Sequence, residues 1–316
     1  MIVTVTLNPA LDKTARTDEV NARSLNRLHD VRLDAGGKGI NVSAAIGALG
    51  GKSLATGFAG GMPGDELLSL VAKKGIAADL VRIAGPTRTN LKVVDRCGGL
   101  TEFNEPGPEI TAAEMKELTD KLYRHGTDCG VVVLAGSLPG GIDVRAYADF
   151  CGMLKDAGAS VFLDADGDAL RHALEAGSGG APSCIKPNRH ELLQYFGISD
   201  EEGTTTEKLV ELCQSLVDRG IGLVALSMGQ RGAIFVNDGG AWQARAIPVE
   251  VRSTVRAGDS MMGALAYGFE LKLPDEQRFA LAMAVSAGAC TTEGTNPPDR
   301  TLVDGLLGKV RIEKIA

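Results

Sequence analysis

The chain has 316 residues, of which 44% are hydrophobic, so it is long enough to bury a substantial core in one large domain or two modest ones. Its 41 glycines and its aromatic content of only 4% favour an α/β protein with many tight turns over an all-β sandwich. The 33 basic and 40 acidic residues give a net charge of −7 without a basic stripe, so nucleic acid is not expected as a partner.

Short β-branched runs alternate with helical patterns along the chain. Strands are predicted at Ile2–Leu7, Ser53–Ala59, Gly130–Ala135, Ser160–Asp164, Ser183–Lys186 and Gly222–Ser227. Helices are predicted at Lys38–Leu49, Asp65–Lys74, Ala112–Arg124, Val144–Asp156, Glu207–Arg219, Ala257–Leu271 and Glu276–Thr291. This alternation predicts right-handed βαβ crossovers and a mostly parallel sheet that is covered by helices on both faces.

Two segments, residues 13–35 and 88–104, interrupt this order. Polar and apolar residues alternate in both, as in Asn90-Leu91-Lys92-Val93-Val94-Asp95, and such alternation is typical of strands with one solvated face. We therefore predict a small separate sheet, a β lid, that projects from the main sheet. Because no long linker and no internal repeat are evident, residues 1–316 are predicted to form a single domain with this lid.

The spacing of the cysteines and the first residues of the sequence indicate the cellular compartment. The six cysteines, at positions 97, 129, 151, 184, 213 and 290, are widely spaced and never form a C-x-x-C pair, which indicates reduced thiols rather than disulfides or a zinc site. The first seven residues lack the charged front of a signal peptide, and no apolar run reaches membrane-spanning length. We therefore expect a soluble cytoplasmic protein that does not bind membranes.

Two glycine- or proline-containing turns in the first part of the chain carry polar residues. Asp12 ends the run Asn8-Pro9-Ala10-Leu11-Asp12 just beyond the first strand, where ligands of open α/β sheets bind, although a simple turn acid explains it equally well. The run Gly36-Gly37-Lys38-Gly39-Ile40-Asn41-Val42 opens a helix, and its glycines let the backbone approach a ligand. Its spacing is not that of a Walker P-loop.

A third run, Ser253-Thr254-Val255-Arg256-Ala257-Gly258-Asp259-Ser260, opens the helix predicted from Ala257. The free N–H groups of a helix N-terminus bind phosphate, and a carboxylate in the first turn can reach whatever lies beside that phosphate. Asp259 is therefore a candidate general base for an attacking hydroxyl. The alternative is an ordinary first-turn acid that stabilises the helix dipole.

These three runs, in this order, resemble the PfkB carbohydrate kinases, which have the ribokinase-like fold. The resemblance implies a three-layer α/β/α architecture with a mostly parallel central sheet and a small β-sheet lid, and an ATP-dependent sugar kinase. Within the family, Thr87-Arg88-Thr89-Asn90 and the run from Thr101 to Pro108 resemble the branch that phosphorylates fructose 1-phosphate. Tagatose-6-phosphate kinases are similar elsewhere but differ around Asn104-Glu105-Pro106.

The resemblance also implies roles for individual residues. The sugar would lie against Asp12, Gly37, Asn41 and Asn90, and its existing phosphate would be bound by Lys38, Arg88 and Ser137. The nucleotide would be bound by Lys186, Asn188, Ser227, Gly229, Gly232, Gly258 and Asn296, the last in Gly294-Thr295-Asn296. The phosphoryl-transfer turn would comprise Arg256, Ala257, Gly258 and Asp259.

Asn188 and Glu191 have the Asn-x-x-Glu spacing with which the family orders Mg²⁺. Such residues would hold the ion through water, because Mg²⁺ prefers oxygen ligands and retains several waters. The same spacing is also that of a helix capping box, in which Asn and Glu satisfy each other's backbone amides. Both roles can hold together.

One departure from the family pattern lies in the transfer turn, where Gly-Ala-Gly-Asp is expected and Arg256 replaces the first glycine. If this position requires a left-handed backbone, the change costs roughly 1–2 kcal/mol. The change would also tilt a backbone amide of the anion hole, the set of amides that stabilises charge on the transferred phosphoryl group. Loss of one such donor typically lowers the rate by about 10²–10³-fold. We therefore expect a weakened kinase in which Arg256→Gly raises turnover several-fold, unless the guanidinium lies over the phosphates and compensates.

The resemblance thus implies that Asp259 takes the proton of the C6 hydroxyl of fructose 1-phosphate while that oxygen attacks the γ-phosphorus of MgATP. Tagatose 6-phosphate and fructose 6-phosphate are alternative acceptors. A different class of function, a sugar-phosphate sensor without turnover, is the alternative that Arg256 suggests. We also expect the protein to form a homodimer in which the lid strands of the two copies pair.

Overall fold

The computed structural model describes residues 1–199, 203–292 and 296–316. The strands are β1 (Ile2–Thr6), β2 (Ala10–Arg16), β3 (His29–Gly36), β4 (Ser53–Gly60), β5 (Ala77–Ile83), β6 (Arg88–Val94), β7 (Leu100–Asn104), β8 (Val131–Ala135), β9 (Ser160–Asp164), β10 (Cys184–Ile185), β11 (Leu223–Ser227), β12 (Ala233–Asn237), β13 (Gly240–Ala244) and β14 (Ile312–Lys314). The helices are α1 (Lys38–Ala48), α2 (Gly61–Lys73), α3 (Ala112–Asp128), α4 (Ala146–Asp156), α5 (Gly167–Glu175), α6 (Gly177–Gly180), α7 (Arg189–Tyr195), α8 (Thr206–Val217), α9 (Ala257–Glu270), α10 (Asp275–Cys290) and α11 (Arg300–Leu307). None of the described helices is both long and apolar enough to cross a bilayer.

The larger sheet has the strand order β14-β13-β12-β11-β10-β9-β8-β1-β4-β5. The strands from β5 to β11 pair in parallel, which confirms the mostly parallel sheet predicted from the alternating pattern. The strands from β11 to β14 pair antiparallel and extend one edge, which the sequence did not predict. The first strand, β1, therefore lies inside the sheet, between β4 and β8.

Helices cover both faces of this sheet, as predicted. The residues of β8 are all buried, and they alternate between the two cores because successive side chains of a strand point to opposite faces. Val132 and Leu134 pack with residues of α3, α4, α5, α7 and α8, whereas Val131 and Val133 pack with residues of α1, α9, α10 and α11. A third cluster joins α2 to α1 and the lid. The molecule is thus a three-layer α/β/α structure.

The smaller sheet is the predicted lid, with the strand order β3-β2-β6-β7. Strand β2 begins at Ala10, earlier than the predicted start of this segment at residue 13. One row across the sheet consists of Asp34, Asp12, Asn90 and Asn104. The adjacent row consists of Leu33, Lys13, Leu91 and Phe103, and its side chains therefore lie on the opposite face.

Candidate active site

The carboxyl ends of five neighbouring parallel strands carry the polar residues of the candidate site. Asn8 follows β1, Ser137 follows β8, Asp164 ends β9, Lys186 follows β10 and Ser227 ends β11. Ligands of open α/β sheets bind at this edge. The fold thus brings together residues that are far apart in sequence.

Asp259 occupies the first turn of α9 and is 7% exposed. Asn41 on α1 donates a hydrogen bond from Nδ2 to Oδ2 of Asp259 at 2.6 Å. Burial and the charge of Asp164 raise the pKa of Asp259 to about 6, although the Asn41 bond and the charges of Lys38 and Lys186 act in the opposite direction. The carboxyl is therefore ionised at neutral pH and has a pKa close to the range that suits proton transfer.

The N-terminus of α9 has amides available for an anion. The N–H of Ala257 bonds to the carbonyl of Thr254 at 3.3 Å, whereas those of Gly258 and Asp259 make no backbone hydrogen bond to any described residue. Free amides at a helix N-terminus bind phosphate groups. A Cβ atom on Gly258 would lie 3.0 Å from Nζ of Lys186, so glycine lets this lysine approach the turn.

Two lysines flank a buried carboxylate beside this turn. Asp164 receives Nζ of Lys38 at 3.2 Å on Oδ1, and Nζ of Lys186 lies 3.3 Å from Oδ2. Burial raises the pKa of Asp164, but the two lysines outweigh it and hold the pKa below its ordinary value. For Lys38, burial is outweighed by the charges of Asp164, Asp259 and Asp166, which raise its pKa. Lys38 is thus charged, and both lysines are held at the carboxyl edge by Asp164.

Lys38 is the first residue of α1 and follows a glycine with a required conformation. Gly37, the N-cap residue, has φ of 122°, and a Cβ atom there would lie 2.6 Å from Cγ2 of Thr6. A residue with a side chain would be strained and would clash at this position. The glycine pattern noticed in the sequence therefore has a local steric cause.

The carboxylate of Asp12 is buried in the lid and accepts from three side chains. Asn90 donates to Oδ1 at 3.1 Å, and Nζ of Lys92 lies 3.2 Å from Oδ2. The third donor is Arg256, whose Nη2 lies 3.4 Å from the same Oδ2. Asp12 is therefore a charged centre that is joined to α9 as well as to the neighbouring lid strand.

Arg256 does not have the left-handed backbone considered above. Its φ is −122° and its ψ is 7°, which a residue with a side chain adopts without this strain. Its side chain is 9% exposed and is directed to Asp12 on the lid. The condition for backbone strain at this position is thus not met, and the guanidinium forms a contact that the sequence did not predict.

Arg88 and Asn8 form a second polar group under the lid. Arg88 donates to the carbonyl of Glu105 at 2.9 Å and to that of Asn8 at 3.1 Å. The Nδ2 atom of Asn8 lies 2.9 Å from the carbonyl of Pro106 and 3.4 Å from Oγ of Ser137. These bonds hold Arg88 and Ser137 near each other.

Several buried polar atoms at this location lack hydrogen-bond partners among the described residues. They are Nε of Arg88 and the Oδ1 atoms of Asn8, Asn41 and Asn90. An unpaired buried polar atom costs about 1–3 kcal/mol, so a cluster of four indicates a polar ligand. One donor and three acceptors suit a molecule with hydroxyl groups and an anionic group.

On the other side of the site, Asn188 and Glu191 form the capping box of α7. Oδ1 of Asn188 accepts from the Glu191 amide at 2.9 Å, and Oε2 of Glu191 accepts from the Asn188 amide at 2.8 Å. In the described part of the chain, no group of three or more His, Cys, Asp or Glu residues has a metal-binding arrangement. A divalent ion would accordingly be held by few protein oxygens, together with water and phosphate, as Mg²⁺ commonly is.

The remaining nucleotide candidates lie on one loop and beyond α10. Ser227 bonds through its amide to the carbonyl of Pro187 at 3.0 Å, and Gly229 and Gly232 have φ of 57° and 92°. A Cβ atom on Gly232 would lie 2.0 Å from the carbonyl oxygen of Ala244, so this turn requires glycine. Asn296 is exposed. Its predicted neighbours, residues 294 and 295, lie outside the described residues.

Sequence reasoning missed two central residues. Lys92 is two positions after Asn90 on β6, and this spacing alone puts both side chains on the face that carries Asp12. Asp164 ends a predicted strand but was not selected as a site residue, and the structure buries it between two lysines. The rule that ligands bind at carboxyl ends of parallel strands would have selected it.

The chain is similar to known sugar kinases over nearly its whole length. It matches the model described as the pfkB family of carbohydrate kinases over residues 5–302. It is 34% identical over 313 residues to the 1-phosphofructokinase of Escherichia coli K12, which covers 99% of this chain and 98% of the relative. It is 32% identical over 314 residues to the 1-phosphofructokinase of Vibrio cholerae, covering 99% and 97%. Phosphofructokinase-2 from Escherichia coli, solved in complex with potassium, superposes with a TM-score of 0.91 at 28% identity and covers 98% of both chains.

Proposed function

Since the chain belongs to the pfkB family of carbohydrate kinases, we propose that it transfers the γ-phosphoryl group of ATP to the C6 hydroxyl of fructose 1-phosphate, which gives fructose 1,6-bisphosphate and ADP. The observation that carries this proposal is the buried carboxylate of Asp259 beside the open amides of α9 at the carboxyl edge of the sheet. Residues 1–316 act as one kinase domain with a lid above the sugar.

In this proposal the fructose moiety lies between the lid and α1. The unpaired Oδ1 atoms of Asn41 and Asn90 accept its hydroxyl protons. Among the described residues, only Asn90 donates to Oδ1 of Asp12, and this oxygen accepts another hydroxyl. The backbone at Gly37 lies close to the sugar, because no side chain is present there.

The phosphate on C1 is bound by cations and a hydroxyl. Arg88 offers its unpaired Nε and a planar guanidinium, which matches phosphate oxygens. Lys38 contributes a fixed positive charge, and Ser137 contributes a hydroxyl donor. This cluster supplies local positive charge in a chain whose net charge is −7.

Asp259 accepts the proton of the attacking hydroxyl during transfer. The amides of Gly258 and Asp259 stabilise the charge that develops on the γ-phosphoryl group. Positioning of the two substrates accounts for much of the rate, because little covalent chemistry falls to the protein. The lid excludes water, which would otherwise consume ATP.

ATP lies along the carboxyl edge toward β11. Its contacts are Lys186, Asn188, Ser227, Gly229, Gly232, Gly258 and Asn296. Asn188 and Glu191 hold Mg²⁺ through water in this proposal, and each carboxylate or amide oxygen retains a lone pair beyond the capping box. When bound, Mg²⁺ neutralises phosphate charge. Because ATP is the donor and the six cysteines are free thiols, we assign the reaction to the cytoplasm.

The test is ADP release from MgATP with fructose 1-phosphate, compared with fructose 6-phosphate, tagatose 6-phosphate and no acceptor. The proposal expects release that depends on fructose 1-phosphate and a higher kcat/KM for it than for the other two. A higher kcat/KM for either rival would identify that sugar as the substrate. Calorimetric binding of fructose 1-phosphate without ADP release from any acceptor would instead support the sensor.

The pH profile is expected to have an acid limb near pH 6. Below this pH, Asp259 is protonated and cannot accept the hydroxyl proton, so kcat/KM falls as the pH decreases through the pKa of about 6. The measurement is kcat/KM for fructose 1-phosphate from pH 5 to pH 8. A limb near pH 4 would mean that the carboxylate has an ordinary pKa.

We also propose that two copies associate through the lid. The lid face opposite Asp12 carries Leu33 and Phe103, which are 40% and 57% exposed. Leu33 and Phe103 lie at opposite ends of one row of this face, with Lys13 and Leu91 between them. Exposed large apolar side chains on one sheet face are typical of an interface with another chain. A two-fold axis would bring this patch against its own copy.

Phe103→Asp is expected to convert a dimer into a monomer, because it buries a charge in an apolar contact. Sedimentation equilibrium measures the mass. Tyr123→Asp on α3, where the tyrosine is 51% exposed, is the matched control and should leave the mass unchanged. Monomeric wild-type protein at micromolar concentration would contradict the lid dimer.

A further inference from the structure

The Arg256–Asp12 pair joins the lid to the N-terminus of α9. Asp12 lies on lid strand β2, and Arg256 is the N-cap residue of α9. Their contact is 3.4 Å long and connects residues 244 positions apart. The other two described donors to Asp12, Asn90 and Lys92, both belong to the lid.

Both members of this pair are buried. Asp12 is 5% exposed and Arg256 is 9% exposed. Buried charges that lose their partner are costly, so separation of the lid from α9 requires solvent to replace this contact. A cavity of about 590 Å³ between the lid and residues 252–256 is lined by Arg256 and by Lys92, two of the side chains that contact Asp12.

The arrangement of donors on Asp12 leaves room for substrate. In the part of the chain that the structure describes, Oδ2 accepts from both Lys92 and Arg256, whereas Oδ1 accepts from Asn90 alone. Since each carboxylate oxygen has two lone pairs, a sugar hydroxyl can bind Oδ1 while Arg256 remains in place. Arg256 therefore holds Asp12 without occupying the position of the sugar.

We propose that Arg256 is a positioning residue that acts as a latch, holding Asp12 and its lid strand against the phosphoryl-transfer turn of α9. This inference rests on the proposed kinase function for its kinetic consequence only. With the latch present, the lid is ordered over the site before and after transfer. Opening for product release breaks the buried pair in each turnover, so the latch slows release while it strengthens retention of the sugar phosphate.

The latch has a distinct kinetic signature. Arg256→Gly and Arg256→Met should each raise kcat and the KM for fructose 1-phosphate together by about five-fold or more, with kcat/KM changed less than two-fold. Methionine removes the charge without the added backbone freedom of glycine, so equal effects in both variants assign the change to the side chain. Arg256→Lys keeps the charge and should restore most of the wild-type values.

A second readout requires no substrate. Amide hydrogen exchange of β2 and β6 in the ligand-free protein should become about ten-fold faster in Arg256→Met and should be largely restored in Arg256→Lys. Arg16→Gln is the matched control, because Arg16 lines the same cavity on β2 but is exposed and makes no contact with Asp12. It should change neither exchange nor kinetics.

Three results would overturn the latch. Unchanged exchange of β2 in Arg256→Met would show that the pair does not hold the lid. A rise in kcat at constant KM, confined to Arg256→Gly, would assign the effect to the backbone of the anion hole. A rise in KM at constant kcat would make Arg256 a direct sugar-binding residue. If wild-type protein released no ADP with any acceptor, the kinase proposal would fail, and the exchange experiment would still decide the latch.

Discussion

Asp259→Asn is expected to lower kcat by about 10²–10⁴-fold, because it removes the group that accepts the hydroxyl proton. The amide is close in shape to the carboxylate, and the site retains the amides of α9, both lysines and Asn41. Binding of fructose 1-phosphate should therefore persist, and calorimetry measures it independently of turnover. Steady-state ADP release at saturating substrate gives the loss of kcat.

The same variant is expected to be more stable than the wild-type protein at neutral pH. Burial and Asp164 raise the pKa of Asp259 in the folded state to about 6 from 3.8, so ionisation costs stability above that pH. The difference corresponds to about 3 kcal/mol, which Asp259→Asn recovers at pH 7–8. The gain disappears below about pH 4, because Asp259 is then protonated in both the folded and the unfolded chain. Urea unfolding at pH 7.5 and pH 4 measures this dependence.

Asp168→Asn is the matched control for these effects. Like Asp259, Asp168 is an acid in the first turn of a helix, here α5, but it is exposed and lies outside the candidate active site. Its replacement should leave kcat unchanged and should not stabilise the protein. If Asp259→Asn turned over at a rate within a few-fold of the wild-type protein, Asp259 would not be the base.

The second large effect is expected for Asp164→Asn, which removes the charge between Lys38 and Lys186. Lys38 then loses the nearer of its two carboxylate partners and Lys186 loses its contact with Asp164, and breaking such a buried pair costs about 3–5 kcal/mol. Urea unfolding at pH 7.5 measures the decrease in the free energy of unfolding. Because the folded-state pKa of Asp164 is depressed, the lost contribution is present at neutral pH and vanishes in wild-type protein as the pH falls through that pKa.

Asp164→Asn also tests the origin of the pKa of Asp259. The negative charge of Asp164 is one of the two causes that raise it, so the acid limb of the activity profile should move to lower pH in the variant. A limb that arises from ionisation of the substrate phosphate, which has a second pKa near 6, would stay in place.

Asp166→Asn is the control for the stability effect. Its side chain is 59% exposed and lies 4.0 Å from Nζ of Lys38, so its loss should cost no more than about 1 kcal/mol. Equal destabilisation by the two variants would mean that burial of the Lys38–Asp164–Lys186 group contributes nothing.

The parallel part of the sheet was predictable because its strands are buried on both faces and read as continuous apolar runs. β8 is the clearest case, since Val131–Ala135 is uninterrupted by polar residues. The antiparallel edge was missed although Asn237 and Gly240 flank a two-residue Asp-Gly hairpin, which is a known signal. β14 has only three residues, and its strand conformation depends on pairing with β13, which no local pattern encodes.

In the candidate site too, some features have local sequence signals, whereas others depend on contacts that only the fold determines. Gly37 and the first turn of α9 carry local signals, because helix starts and glycine turns depend on neighbouring residues. The partner of Lys38 lies 126 positions away at Asp164, and only the fold determines that contact. For Arg256, the sequence indicated an unusual residue, but its backbone angles and its direction toward the lid required the structure.

The central position of β1 has a consequence for biosynthesis. Strand β1 pairs with β4 on one side and with β8 on the other, so its second edge stays open during synthesis until residue 135 has been made. α9, which carries Asp259 and packs closely on α1 at Gly263, emerges later still. Contacts of such long sequence separation slow folding and leave strand edges exposed in a nascent chain. The α1 surface that α9 covers should therefore stay exposed until translation has passed α9, and a truncated chain that lacks α9 has no phosphoryl-transfer turn.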